Sequence, residues 1–467
     1  MRGVSPLPGV DVRRREFDRG WLAIAGALGI LLVLSMHAIR AKSFWFDEAV
    51  SLTFARMSLA ELAGTIGGRE ANGSVYYLIL HGWRLLGDGE TWIRFLSVLC
   101  VATTIPILYL VGRRHVGAAG SAVGITLFAV SSFTVEYAQE ARMYGLAMLS
   151  VTAAVLAWSL ATETDRKRWW AAYALCATVS LYIHFFCGLV VVGLGLTWLA
   201  GLTPRTRRGL VAQAVVVAGA LPLGYYLATG DVGQISWIKP FRQAGVSAVL
   251  GRFGGGSVAL TWLLFAGVAA AIPTRDRARI RRIAPLVAWC LTPIVLGLVI
   301  SIWKSLLEPR YFIVALPALM LLAGAGFVRI GGWLGGRRAR LPVAGAIVVL
   351  AIVLGVGPLQ RMYGGDRGDW RGAAGWVAQA AEPGDRILYA PDKARYPLGI
   401  YLERSTVRPS VEATSADLRA ARGRTWLVLY GLQGTEYGSL FEQLPGYRVI
   451  ASKLFRGNIR IQLVDRP

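Results

Sequence analysis

Asp47 and Glu48 stand side by side in SFWFDEAVS (residues 43–51), directly after a long apolar run, in a chain with 27 acidic residues among 467. A carboxylate next to Phe44, Trp45 and Phe46 has the surroundings of a general base in a partly dry pocket. Adjacent positions diverge on a helix, so only one of the two acids would face a given cavity. Solvated acids in an interfacial aromatic belt are the equally weighted alternative. A second group lies in VEYAQEARMYG (135–145). Glu136 and Glu140 are spaced to share a helical face, with Tyr137 and Tyr144 close by. Arg142 is the basic residue of that loop, suited to anchoring an anion such as a phosphate, or to pairing with one of the glutamates. In LYIHFFCG (181–188), His184 is one of four histidines and sits among aromatics. A structural hydrogen bond is its commoner use, and no second histidine has ligand spacing to it. In KSLLEPRYF (304–312), Lys304, Glu308, Arg310 and Tyr311 precede an apolar stretch. Arg310 beside Tyr311 could hold a lipid phosphate, or snorkel to the interface.

The elements that must position these residues are apolar. The chain is 55% hydrophobic and 16% charged and carries 16 Trp, against about a quarter charged for soluble domains. Uninterrupted runs of roughly 18–22 residues can each cross a bilayer core of about 30 Å. About eleven spans are expected, near 21–39, 92–112, 117–134, 144–162, 169–184, 186–202, 209–229, 257–273, 283–303, 310–328 and 341–359. The basic clusters RRREFDR, GRRH, DRKR, TPRTRR, RDRARIRR and RIGGWLGGRRAR then fall on one side. The positive-inside rule puts the N-terminus in the cytoplasm and the tail outside. The net charge of +23 is accounted for by these loops, without a nucleic-acid partner. All four candidate groups fall on the opposite, external side, where an ionisable group at membrane depth marks a functional site by default.

The first apolar run is read as a retained span rather than a cleavable signal. The four cysteines, Cys100, Cys176, Cys187 and Cys290, lie in separate apolar runs and are expected as small core residues. GRFGGG (251–256) lacks the flanking strand and Lys–Ser/Thr of a phosphate loop and is expected to be a flexible external loop. Asn72-Gly73-Ser74 fits a glycosylation sequon, a pattern common by chance. The division expected is a membrane domain over 1–360, with a long first external loop at 40–90 whose SLAELAGTIGG would lie along the membrane surface, and a soluble α/β domain over 361–467. In that second domain RILYA, TWLVLYG, YRVIASKLF and IRIQLVD are expected strands, WRGAAGWVAQAAE and SADLRAAR expected helices, and RGN a hairpin turn.

Taken in order, these motifs resemble the GT-C glycosyltransferases, specifically the bacterial relatives of protein O-mannosyltransferases and aminoarabinose transferases. FWFDEA (44–49) is similar to the family's acidic motif in the first external loop. NGSVYYLILHGW (72–83), ETWIRFLSVL (90–99), EYAQEARMYGL (136–146), LYIHFF (181–186), PRYFIVALP (309–317) and the GDW…W…PGD of 368–385 follow in family order. One departure is Gly-Ser-Val where the family has Pro-Pro before Tyr76-Tyr77. The resemblance implies an inverting transfer of a hexosyl or pentosyl unit from a polyprenyl-phosphate donor to a glycan, lipid or protein acceptor, on the external face of a bacterial plasma membrane. It implies Asp47 as the general base, and Arg142, Arg310, His184 and Tyr311 as ligands of the donor phosphate. Glu48, Glu140, Tyr144 and Tyr137 are implied around the acceptor or behind those groups. No cofactor is predicted, although the carboxylates at 47, 48, 136 and 140 could hold a divalent ion. A transporter or flippase of lipid-linked glycans is the alternative; it would be expected to show mid-span polar residues and internal repeats, which the sequence lacks. The composition, with only two asparagines, suggests a GC-rich bacterial source.

Overall fold

The computed structural model describes residues 8–68, 70–229, 245–273, 275–304, 306–402, 410–411, 423–431, 446 and 448–465. They form two compact units, one of residues 1–37, 60–79 and 94–363 and the other of residues 38–59, 80–93 and 364–467. The expected helix at SADLRAAR lies outside the described residues, as does much of the loop after the seventh expected span.

The first unit is helical. Its elements are α1 (Pro8–Met36), α3 (Leu59–Gly68), α4 (Ser74–Arg84, through Ile79), α5 (Glu90–His115, from Arg94), α6 (Gly117–Val130) and α7 (Ser132–Ala138). Then come α8 (Tyr144–Thr164), α9 (Lys167–Ile183), α10 (Cys187–Leu199), α11 (Arg207–Thr229), α12 (Val246–Phe253), α13 (Val258–Ala271), α14 (Arg277–Ile300) and α15 (Leu316–Gly364). Among the described residues, six helical stretches are long and apolar enough to cross a membrane, or eight if the bent pairs α6–α7 (59°) and α12–α13 (78°) each count as one. The other three expected spans fall on α1, α9 and α10. Large apolar side chains such as Val217, Leu221, Val349 and Val353 are exposed, as a lipid-facing surface requires. The protein is a multi-pass membrane protein.

Glycines let the central helix be surrounded closely. A Cβ on Gly324 of α15 would lie 2.6 Å from the Gly120 carbonyl oxygen of α6, and one on Gly326 would lie 1.8 Å from that of Gly267 in α13. Small residues at such crossings bring backbones into contact where lipid gives no hydrophobic drive. At Gly336 (φ 62°, ψ −167°) α15 breaks, and a Cβ on Gly331 would sit 2.3 Å from the Arg340 carbonyl oxygen, so the two arms fold back on each other. The basic clusters expected to lie together group at one end of α8, whose 21 residues rise about 30 Å. At its C-terminal end Arg114 pairs with Glu163 (3.4 Å), Arg208 with Asp165 (2.8 Å), and His115 meets the Arg282 carbonyl (2.5 Å). Four of the basic clusters thus meet at one end, and VEYAQEARMYG leads into the other. None of the four cysteines forms a disulfide.

The second unit holds α2 (Phe46–Arg56), α16 (Trp370–Ala380), α17 (Arg395–Leu402) and five strands: β1 (Arg386–Ala390), β2 (Ser410–Val411), β3 (Thr425–Tyr430), β4 (Arg448–Phe455) and β5 (Ile459–Asp465). The sheet order is β2-β1-β3-β5-β4, with β1 parallel to β2 and β3, and β5 antiparallel to β3 and β4. Each strand expected from the sequence is present, and Arg456–Asn458 makes the hairpin turn, with Gly457 at φ 80° and Asn458 at φ 55°. Trp370, Val377, Leu398, Ile387, Trp426, Val428 and Ile461 form its core. Burying each of the aliphatic ones contributes about 1.5–3 kcal/mol. Asp385 is buried beneath them. It accepts from Trp426 Nε1 (2.8 Å), Arg424 Nε (3.0 Å) and the Glu382 N–H (3.0 Å). Burial alone would raise its carboxyl, but these donors outweigh it and hold the group below the usual range.

Two outcomes follow. Gly326→Val should lower the unfolding free energy in detergent by about 1–3 kcal/mol or prevent folding, whereas Gly345→Ala, where a Cβ meets nothing within 4 Å, should be neutral. Asp385 is more acidic folded than unfolded, so its stabilisation is present above the unfolded carboxyl pKa and lost as pH falls through the folded one. Tryptophan fluorescence should show the wild type's advantage over Asp385→Asn at pH 7 shrinking toward acid pH.

Candidate functional site

The sequence-predicted residues divide between the two units: Arg142, Glu140, Tyr137, Tyr144, His184, Arg310 and Tyr311 lie in the first, Asp47 and Glu48 in the second.

In the first unit the chain leaves α7 at Ala138 and enters α8 at Tyr144, so Glu136 is on the helix and Glu140 is beyond it. The expected shared helical face is therefore broken, because the helix ends at Gln139. The Gln139 amide then donates to the Ser35 carbonyl (2.9 Å) at the end of α1, and Ser97 Oγ of α5 donates to the Glu140 carbonyl (2.6 Å). These two bonds fix the turn that carries Arg142. Glu136 pairs with Arg252 of α12. The Arg252 guanidinium lies over the rings of Phe133 (5.0 Å) and Tyr137 (6.0 Å). The first half of GRFGGG is thus helix rather than a flexible loop, and its arginine neutralises a glutamate of the candidate site.

His184 lies in the turn between α9 and α10, 1% exposed. Its Nδ1 accepts from the Phe186 N–H (3.2 Å), so the ring presents Nε2–H, which has no hydrogen-bond partner among the described residues. Asn72 holds this turn from outside: its Oδ1 accepts from the Phe185 N–H (3.1 Å), while Ser74 Oγ donates to the Tyr182 carbonyl (3.3 Å). The Asn72-Gly73-Ser74 stretch is therefore a brace for the histidine turn. Gly73 is required there, at φ 88° with a Cβ 2.9 Å from Met143.

The aromatic groups close into one cluster. Tyr144 packs on Tyr137 (4.7 Å between centroids) and His184 (5.5 Å), and Tyr311 packs on His184 (5.0 Å), Phe185 (5.5 Å) and Phe186 (5.3 Å). Tyr311 belongs to a 3₁₀ segment, Pro309–Ala315, which also carries Arg310, 3.4 Å from Glu308. The charges of Arg142 and Arg310 both act on His184 and on Tyr144. Three separate segments thus bring two guanidinium groups, an imidazole N–H and two phenols to one place, a donor set suited to a multiply charged oxyanion. In the same unit Leu127, Ser131, Ser132, Phe253, Leu264 and Met320 line a small crevice.

In the second unit Trp45 caps the N-terminus of α2, and Glu48, fully buried, accepts from its N–H (3.5 Å). Asp47 remains half-buried, so the two acids do diverge. Its charge acts on Tyr430 at the end of β3, together with that of Asp366. Among the described residues no group of three or more His, Cys, Asp or Glu side chains is placed to hold a metal ion.

Sequence reasoning missed Arg252, Asn72 and Ser97. Each makes a contact between segments far apart in the chain, which no spacing rule reveals. A double-mutant cycle of Glu136→Gln and Arg252→Gln should give a coupling of about 1 kcal/mol or more in thermal unfolding, as expected for a partly buried ion pair. Additive effects would show that the pair contributes nothing.

Residues 74–226 match the model of a family described as dolichyl-phosphate-mannose-protein mannosyltransferase. No curated protein matched the sequence. The fold is similar to that of ArnT from Cupriavidus metallidurans in the apo state, at 17% identity, with a TM-score of 0.64 over 96% of this chain and 98% of that one. ArnT bound to undecaprenyl phosphate matches at 16% identity, with a TM-score of 0.62 over 95% of this chain and 98% of that one. The archaeal oligosaccharyltransferase AglB from Archaeoglobus fulgidus, in complex with an inhibitory peptide and a dolichol-phosphate, matches at 10% identity, with a TM-score of 0.53 over 87% of this chain and 69% of that one. The resemblance to the GT-C glycosyltransferases carried by the motifs is thus met again in the family model over 74–226 and in the fold of nearly the whole chain.

Proposed function

We propose that the protein is an inverting glycosyltransferase that moves a sugar from a polyprenyl-phosphate donor to a cell-envelope acceptor on the external face of the plasma membrane. The observation that carries this reading is the gathering of Arg142, Arg310, His184, Tyr144 and Tyr311 at the end of α8 opposite the basic clusters. When the glycosidic bond to the donor breaks, the phosphate gains negative charge. Fixed cationic and N–H donors stabilise that charge more than the ground state. Positive-inside sidedness puts this end outside, the N-terminus in the cytoplasm and the C-terminal residues outside.

Asp47 would be the general base. It takes the acceptor hydroxyl proton as the oxygen attacks the anomeric carbon from the face opposite the phosphate, which leaves as the polyprenyl phosphate monoester. One displacement inverts the centre. Glu48, buried at the cap of α2, orients the helix that carries the base. Glu140 and Tyr137 stand behind the phosphate donors. The family model and the undecaprenyl-phosphate complex of a protein with this fold support the donor class.

Purified wild type and Asp47→Asn, incubated with a panel of polyprenyl-phosphate sugars and an acceptor-containing membrane extract, test this directly. Mass spectrometry should show the wild type releasing polyprenyl phosphate from one donor, and the variant slower by about 10²–10⁴-fold. Equal release by both would remove Asp47 from its role. Movement of donor across vesicles without its consumption would point to a transporter.

A further inference from the structure

In the second unit one buried carboxylate outside the family-like acidic motif controls the backbone that leads into it. Glu90, with a side chain only 5% exposed, sits at the first position of α5. Arg371 of α16 embraces it with two contacts, Nη2–Oε2 at 2.5 Å and Nε–Oε1 at 3.3 Å. The Tyr401 hydroxyl of α17 donates to the same carboxylate.

Both partners of Glu90 also hold the segment before Asp47. Tyr401 Oη accepts from the Phe44 N–H at 2.7 Å. The Arg371 backbone N–H donates to Ser43 Oγ (3.2 Å), and its Nη2 donates to the Arg40 carbonyl (3.1 Å). Trp45, the residue between the held backbone and α2, lies under the Arg367 guanidinium (5.2 Å), and Phe46 packs edge-on against Tyr396 (5.8 Å). These partners of Arg40, Ser43, Phe44, Trp45 and Phe46 all come from residues 364–467.

We propose that Glu90, Arg371 and Tyr401 form a positioning network that fixes residues 40–45 and so aims the Asp47 carboxylate at the acceptor hydroxyl; the C-terminal α/β segment is then part of the transfer machinery. The aiming rests on Asp47 being the base. The physical logic is that a carboxylate with two charge-assisted contacts and a phenol donor has one orientation, and the phenol passes that orientation to a backbone N–H three residues from the base. A base displaced by about 1 Å loses about 10²-fold in rate. These three are positioning residues, since none is argued to touch substrate.

The test uses the full-length protein in detergent or nanodiscs. Hydrogen–deuterium exchange on Tyr401→Phe, which removes one hydroxyl, should show amides 43–48 exchanging about tenfold faster, the factor for one net hydrogen bond, with β1, β3 and β5 unchanged. Unchanged exchange in 43–48 would overturn the network whatever the reaction. With the donor that the wild type consumes, Tyr401→Phe and Arg371→Ala should lower kcat about 10- to 100-fold while the donor KM stays within about twofold. Wild-type kcat with faster exchange in 43–48 would overturn the aiming role. If Tyr401→Phe fails to fold, Glu90→Gln, which weakens the arginine pair in an isosteric group, serves for both measurements. Failure of the base assignment is told apart by Asp47→Asn: full turnover there removes the aim, while the exchange result still decides whether the network holds the segment.

Discussion

A charge withdrawn from water beside hydrocarbon has to be answered by another charge or by hydrogen bonds, and this requirement shapes both units. Glu136 is answered by Arg252, Arg310 by Glu308, Glu90 by Arg371, and Asp385 by Arg424 and Trp426. In each case the partners come from different elements or from the two sides of a turn. The answering group therefore fixes backbone as well as charge. The polar residues are where the fold is stitched, and the apolar spans supply length and lipid contact.

The helix packing that carries the site obeys a different rule. Gly120, Gly124, Gly267, Gly324 and Gly326 bring α6, α13 and α15 to backbone contact, a distance any side chain would forbid. A rigid centre of this kind suits a site whose donors must be held for developing charge rather than drawn in after it has formed. Arg142, His184 and Arg310 each stand in a short non-helical or 3₁₀ segment at a helix end. There, backbone polar groups can be satisfied by side chains such as Asn72, Ser97 and Gln139.

The C-terminal segment has its own core, built on Trp370 and Trp426, with an edge strand β4 that keeps Val449, Ile450 and Leu454 exposed. Its compact unit includes residues 38–59 and 80–93, so the two ends of the stretch between α1 and α5 share a framework with chain more than 270 residues further on. The acidic motif thus derives its local order from the far end of the sequence.

The sequence by itself determined what depends on composition and short spacing. Apolar runs gave a multi-pass membrane protein, arginine clusters gave an expectation of its sidedness, and alternating short runs gave β1, β3, β4 and β5. Motif order pointed to Asp47, Arg142, His184 and Arg310. The structure gathers Arg142, Tyr144, His184, Arg310 and Tyr311 in one unit, while Asp47 and Glu48 lie in the other. Only tertiary structure decided the rest, because it turned on pairings between residues distant in the chain. Glu136 and Glu140 had helical spacing, but the helix ends at Gln139, whose amide bonds to α1. Gly251–Phe253 sat in a glycine-rich stretch, yet they close α12, from which Arg252 pairs with Glu136. Asn72 had the pattern of a sequon and proved to brace the histidine turn, and Glu90 had no motif to mark it. A local pattern records what a residue can do, and its partner, fixed by the closing of long loops, determines which of those things it does.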